Sequence, residues 1–365
     1  MARVKGLYIL DDIPFHQIYG PEEQRDIAEL VDIYAPPQTC ADIQRTPRLL
    51  ADAEVVFSGW GGPRLTQTFL DSMPRLRAFF YGAGATSDIL TPSVWDRGIL
   101  VTSAYAANAM PVAEYTLAMI LLSLKHTWHY AQQIKQMRSY PPKRPVPGCY
   151  GRTVGLISMG MTGRRVREVL RPFDLQVIAY DPFLSADEAT RLNVTPRSLM
   201  QVFSEADVVS VHTPLLRETV GMIGGEHVAA MKQGATLINT ARGAIIREQE
   251  MVDVIQKRED LQVILDVTLP EPPAPESLLY SLPNVLLTPH IAGSMDGECR
   301  RMGRFMVDEL ARYLTHQPMR WVVTPDLARH TSHRPTPAQP PSRGARNRPL
   351  VASAVSLAQS SVETT

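Results

Sequence analysis

A strand, a tight turn and a helix follow one another without interruption between Thr153 and Leu170, and this unit constrains the fold most. Residues 153–157 form an apolar run, Ser158-Met-Gly160 is a turn with little bulk, and residues 163–170 continue at helical spacing. A glycine turn at such a junction lets backbone N–H groups and the positive end of the helix approach a diphosphate, which implies a dinucleotide ligand. The pattern is Ser158-x-Gly160-x-x-Gly163, a G-x-G-x-x-G fingerprint with its first glycine replaced. A second apolar run, 176–180, ends in Asp181, 18 residues after Gly163. A carboxylate there accepts hydrogen bonds from an adenosine ribose and repels a ribose phosphate, so the expected cofactor is NAD rather than NADP.

The rest of the chain repeats this alternation. Strands are expected at 4–10, 54–58, 76–81, 206–212, 236–239, 261–267 and 285–288, with helices at 22–33, 65–73, 199–203, 247–257 and 298–314. The fold class is therefore α/β, with parallel sheets whose ligand loops lie at the carboxyl ends of strands. Two loops in the first third fall at such ends, Gly59-Trp60-Gly61-Gly62-Pro63 and Gly82-Ala83-Gly84. A long apolar helix is expected from Asn108 to about Met137, with Pro111 in its first turn, bridging domains or forming a subunit interface. Trp321-Val-Val reads as a short strand. Residues 324–365 turn to Pro, Ser, Thr, Ala and Arg without hydrophobic periodicity, which predicts a disordered tail.

Composition narrows the partners. Lys and Arg total 37 against 37 Asp and Glu, so overall charge favours neither nucleic acid nor an anionic membrane, and a small molecule is the expected partner. The N-terminal apolar run is too short for a signal peptide, and the longest apolar stretch, 115–124, is too short to span a bilayer. A cytoplasmic location is expected. The three cysteines, Cys40, Cys149 and Cys299, have no metal-ligand spacing and read as reduced thiols. No metal site is expected.

Three residues at strand ends form a device for acid/base chemistry. Arg242, Glu271 and His290 each follow a strand of one sheet, so they converge on the crevice that holds the dinucleotide. Oxidising a 2-hydroxy acid needs a cation for the carboxylate, a base for the hydroxyl proton and a hydride acceptor. Arg242 can pair with a carboxylate through two parallel contacts. His290 can take or return the proton, and a hydrogen-bonded Glu271 favours the charged imidazole and fixes its orientation.

The runs Asn239-Thr-Ala-Arg-Gly243, Leu265-Asp-Val-x-x-x-Glu-Pro272 and Leu287-Thr-Pro-His-Ile-Ala-Gly293 resemble the catalytic signatures of the D-isomer-specific 2-hydroxyacid dehydrogenases. Val154-Gly-x-x-x-x-Gly160, Tyr180-Asp181, Ala206-Asp-Val-Val and Asn108-x-x-x-Val-Ala-Glu114 match in order, over roughly residues 50 to 323. The resemblance implies Arg242 as the substrate-carboxylate arginine, His290 as acid/base and Glu271 as its partner. It places Asp266 at the nicotinamide carboxamide, Met161 and Thr162 at the diphosphate, His212, Thr213 and Pro214 along the adenosine side, and Ala241 near the nicotinamide ribose. Ala83 and Gly84 would hold the substrate carboxylate through backbone N–H groups, with Trp60 and Gly61 in the loop that helps select the substrate. Two Rossmann-like domains are implied: a discontinuous substrate domain, 1–107 and 295–323, around a dinucleotide-binding domain, 108–294, in a homodimer.

This chain departs from the pattern at Ser158, at Thr162 where a branched aliphatic is usual, at Thr86 where Asp is common, and at Trp60. These changes bear on the substrate more than on the reaction. Glu271 argues against formate, whose enzymes pair the histidine with glutamine. A phosphite-type dehydrogenase and an NAD-binding regulatory protein like the superfamily's transcriptional corepressors remain alternatives, since the latter also retain the trio.

Overall fold

The computed structural model describes residues 3–331 apart from 143 and 144. Its strands form two parallel sheets. The first has five strands, β1 (Lys5–Ile9), β2 (Asp32–Ile33), β3 (Val55–Ser58), β4 (Ala78–Tyr81) and β5 (Leu100–Ser103), in the order β2-β1-β3-β4-β5. The second has seven, β6 (Arg152–Ile157), β7 (Leu175–Tyr180), β8 (Thr195–Pro196), β9 (Val208–Val211), β10 (Thr236–Asn239), β11 (Gln262–Leu265) and β12 (Val285–Leu287), in the order β12-β11-β10-β9-β6-β7-β8. Central strands such as Val55-Val-Phe-Ser and Val208-Val-Ser-Val are buried along their whole length, as a sheet covered on both faces requires. Each sheet carries a separate apolar cluster on each face, around Phe79 and Phe80 in the first and around Leu237 and Ile238 in the second.

Strand order reverses beside β1 in the first sheet, where β3 follows on the other side from β2, and at β6 in the second, where β9 lies on one side and β7 on the other. A crevice opens where strand order reverses, because the connecting helices leave on opposite faces. The helix Tyr105–Ser123 lies between the sheets, against the helix Met161–Val169 and in touch with the helix Cys299–Leu314 and with β10.

Several expectations need correction. The helix expected over 108–137 begins at Tyr105 and breaks at Leu124–His126; a second helix, Thr127–Met137, leaves at 59°. His126 adopts a left-handed φ of 50° at the break, and Pro111 lies inside the first helix, where it removes one amide donor. The helix expected over 22–33 ends at Leu30, and Asp32–Ile33 pairs with β1 instead. Strand β5 and the helix Asp12–Ile18 were not anticipated. In place of a strand at Trp321-Val-Val there is a single bridge between Val322 and Thr102. The expected disordered tail starts with a helix, Pro325–Thr331; residues 332–365 lie outside the described residues. Among the described residues no single helix is long and apolar enough to cross a membrane; the bent pair at 105–137 passes on length and composition only when its two helices are taken together. No group of His, Cys, Asp or Glu among them could hold a metal.

Candidate functional site

A cavity of about 440 Å³ lies at the switch point of the second sheet. The turn after β6 supplies Gly160, Met161 and Thr162 to its wall, and the end of β9 supplies His212, Thr213 and Pro214. Ala241 and Arg242 enter from the loop after β10, and Gly84 from the exit of β4. Nine sequence-predicted residues from four strand ends thus share one cavity. Trp60, Gly61, Ala83, Gly163, Asp181, Asp266, Glu271 and His290 are not on its wall.

The turn is built by close approach. A Cβ on Gly163 would lie 2.2 Å from the carbonyl oxygen of Ser158, so only glycine lets the helix pack this tightly on the turn. A Cβ on Gly160 would meet nothing within 4 Å, which leaves open space in front of the helix start. The helix carries no side-chain cap there. Ser158 occupies the left-handed region at φ 73°, the conformation a glycine would adopt freely. Its hydroxyl pairs with that of Thr213 at 3.0 Å and ties the turn to the end of β9. Asp181 accepts the Met159 N–H at 2.7 Å and the Phe183 N–H at 2.8 Å, one on each carboxylate oxygen, so it braces the turn from the end of β7.

His212 is buried against the cavity, and neither ring nitrogen has a hydrogen-bond partner. Burial pushes its pKa down to about 4, so the imidazole is neutral at pH 7. An unpaired polar ring at a cavity wall is costly unless a bound group satisfies it.

The histidine site lies at the neighbouring strand ends. His290 Nδ1 and Glu271 Oε1 are 2.6 Å apart, with the two side chains 47% and 44% exposed, so a substrate can reach the imidazole. An ion pair this exposed adds little to stability; what the carboxylate provides is orientation. The loop that carries His290 is pinned by buried Asp266. Its carboxylate accepts the Thr288 hydroxyl at 2.6 Å and the N–H groups of Ile291 and Ala292 at 2.8 and 2.9 Å. Tyr115, from the helix between the sheets, meets the Thr288 hydroxyl at 2.7 Å. Asp266 therefore acts here as the anchor of the histidine loop.

Arg242 is held by the loop that bears it. Buried Asn239 donates to the Arg242 carbonyl at 2.9 Å and accepts the Ala241 N–H at 3.0 Å, and the guanidinium donates to the Ala241 carbonyl at 2.6 Å. Burial lowers the pKa of Arg242, while Glu271 and Asp88 oppose that shift. A guanidinium stays charged under such a shift, and its incomplete neutralisation favours an anionic ligand.

Trp60 and Gly61 sit at the switch point of the first sheet, where the Trp60 carbonyl accepts the Asp11 N–H at 3.2 Å and Cys40 Sγ donates to the Gly61 carbonyl. Ala83 is buried, and its carbonyl accepts the Ser103 hydroxyl at 2.8 Å. Among the cavity residues that sequence reasoning did not assign to the site are Asn108, Val323 and Leu327. Asn108 accepts the Ser294 N–H at 2.8 Å and lies beside Gly84, so it links the Gly84 loop to the loop after His290. Val323 and Leu327 reach the wall from the C-terminal segment. Thr324-Pro325-Asp326 is a helix-start signal, an N-cap residue with proline at the first position and acid in the first turn, that could have found the second of these.

Comparison with known proteins accounts for this arrangement. The profile of the D-isomer specific 2-hydroxyacid dehydrogenase NAD binding domain matches residues 117–292. YoaD of Bacillus subtilis, a protein assigned to the 2-hydroxyacid dehydrogenases, is 33% identical over 239 residues, covering 63% of this chain and 68% of YoaD. The chain belongs to the D-isomer-specific 2-hydroxyacid dehydrogenase family. The D-3-phosphoglycerate dehydrogenase of Archaeoglobus fulgidus is 30% identical over 224 residues, 61% of this chain and 42% of that protein. The chain thus spans less than half the length of that relative. An NAD-complexed D-isomer specific 2-hydroxyacid dehydrogenase from Lactobacillus delbrueckii ssp. bulgaricus shares the fold, with a TM-score of 0.73 at 23% identity over 88% of this chain and all of that one. The matched domain is an NAD-binding one, and NAD is the cofactor. The open space at Gly160, the uncapped helix start and the unpaired His212 ring fit a dinucleotide.

Proposed function

We propose that this dehydrogenase transfers a hydride between NAD and a small 2-hydroxy or 2-oxo acid of D configuration. The observation that carries the reading is the 2.6 Å contact between His290 and Glu271, on loops beside the one that bears Arg242. Bound NAD supplies the hydride acceptor or donor. Arg242 pairs with the carboxylate of the acid, and the backbone N–H groups of Ala83 and Gly84 assist it. Glu271 occupies Nδ1 of His290, which leaves Nε2 to take the hydroxyl proton in oxidation and to return it in reduction. Met161 and Thr162 hold the diphosphate, Asp181 keeps spare lone pairs for the adenosine ribose, and His212, Thr213 and Pro214 line the adenosine side. Residues 1–107 and 295–323 form the substrate domain in this reading, and residues 108–294 the cofactor domain. Exposed Ile134 and Met137 on the helix Thr127–Met137 are the apolar surface that supports a homodimer.

The test is NADH oxidation by purified protein with glyoxylate, pyruvate, hydroxypyruvate and bulkier 2-oxo acids. Turnover of at least one is expected. Absence of turnover across the panel would remove the enzyme reading.

A further inference from the structure

The C-terminal segment that lines the cavity is fixed by hydrogen bonds and ring contacts. Glu309, 1% exposed, accepts the Arg320 N–H with both carboxylate oxygens, at 3.1 and 3.0 Å, and the Trp321 N–H at 3.0 Å. The Trp321 ring stacks on Phe305 at 5.4 Å and presents an edge contact to Tyr105 at 5.9 Å. Backbone bonds tie the next residues to β5: the Ser103 N–H donates to the Trp321 carbonyl, and the Val323 N–H donates to that of Val101 at 2.8 Å. Thr324 then caps the helix Pro325–Thr331, its hydroxyl accepting the Leu327 N–H at 3.1 Å. The result is an aliphatic wall, Val323 and Leu327, on the same cavity as Gly84 and Arg242.

We propose that Leu327 sets the size of the acid this enzyme accepts. The inference rests on the reading that a carboxylate is held at Arg242 and Gly84. With the carboxylate there, the acid's side chain takes the space bounded by the residues that the first sheet and the C-terminal segment contribute. Val323 is 3% exposed and built into the core beneath β4 and β5, so it cannot be varied without disturbing that core. Leu327 is half-buried on the seven-residue helix Pro325–Thr331 at the wall, so its side chain is the adjustable one. A difference of a methylene or two in an apolar pocket changes kcat/KM by about tenfold or more, which is enough to rank homologous acids.

The experiment measures kcat/KM with NADH for glyoxylate, pyruvate and 4-methyl-2-oxopentanoate in wild type, Leu327→Ala and Leu327→Trp. Thermal melts check that each variant folds. The ratio for the branched acid over glyoxylate should rise about tenfold in Leu327→Ala and fall by a similar factor in Leu327→Trp, with the NADH Kd unchanged. An active wild type whose size profile is the same in either folded variant would overturn the inference alone. A wild type inactive on every acid would overturn the proposed function and this inference with it.

Discussion

At the scale of the residue, Ser158 shows how a missing glycine is tolerated. Holding a non-glycine residue at φ 73° costs about 1 kcal/mol, and the hydroxyl bond to Thr213 returns a similar amount. Ser158→Ala keeps the strained backbone and loses the bond, so it should destabilise the protein by about 1 kcal/mol in urea unfolding. Ser158→Gly loses the same bond but releases the strain, and should stay close to wild type. Equal losses in the two variants would show that the left-handed backbone carries no cost here.

At the scale of the element, the strand, turn and helix at 152–169 act as one piece because Gly163 packs on the backbone of Ser158. Gly163→Ala places a Cβ 2.2 Å from a carbonyl that cannot move without the turn. The expected outcome is a loss of about 1 to 3 kcal/mol with weakened NADH binding by fluorescence titration; a variant as stable and as tight as wild type would contradict the close approach. This unit was legible because apolar runs, small turn residues and helical spacing are local signals. The strand ends bearing Asn239, Asp266 and Thr288 were legible for the same reason, as polar residues closing buried runs. What was hidden depends on contacts distant in sequence. β5 reads as an ordinary apolar tetrad, the break at His126 has no proline or glycine to mark it, and Asn108 and Leu327 reach the cavity only through folding. The anchoring of the histidine loop by Asp266 was likewise invisible, because two of its three donors are the backbone N–H groups of residues 291 and 292.

At the scale of the whole molecule, buried His212 at the cavity wall couples stability to pH. Its folded pKa of about 4 lies below the ordinary histidine value of about 6.5, so the unfolded chain binds a proton that the folded one refuses. The stability tied to the neutral ring is complete above pH 6.5 and is lost as pH falls toward 4, by about 3 kcal/mol in total. Urea midpoints at pH 7 and pH 4.5 should therefore differ less in His212→Gln than in wild type, and equal differences would show that the ring does not set the slope. In the proposed function, adjacent strands β10, β11 and β12 of the second sheet bring Arg242, Glu271 and His290 to the dinucleotide crevice for hydride transfer to and from an acid. The most direct measurement is turnover and NADH affinity of His290→Ala on the best 2-oxo acid. Turnover should fall by about 10² to 10⁴-fold while the NADH Kd stays near that of wild type. Turnover kept at the wild-type level, or NADH binding lost together with it, would contradict the assignment of His290 as the acid/base.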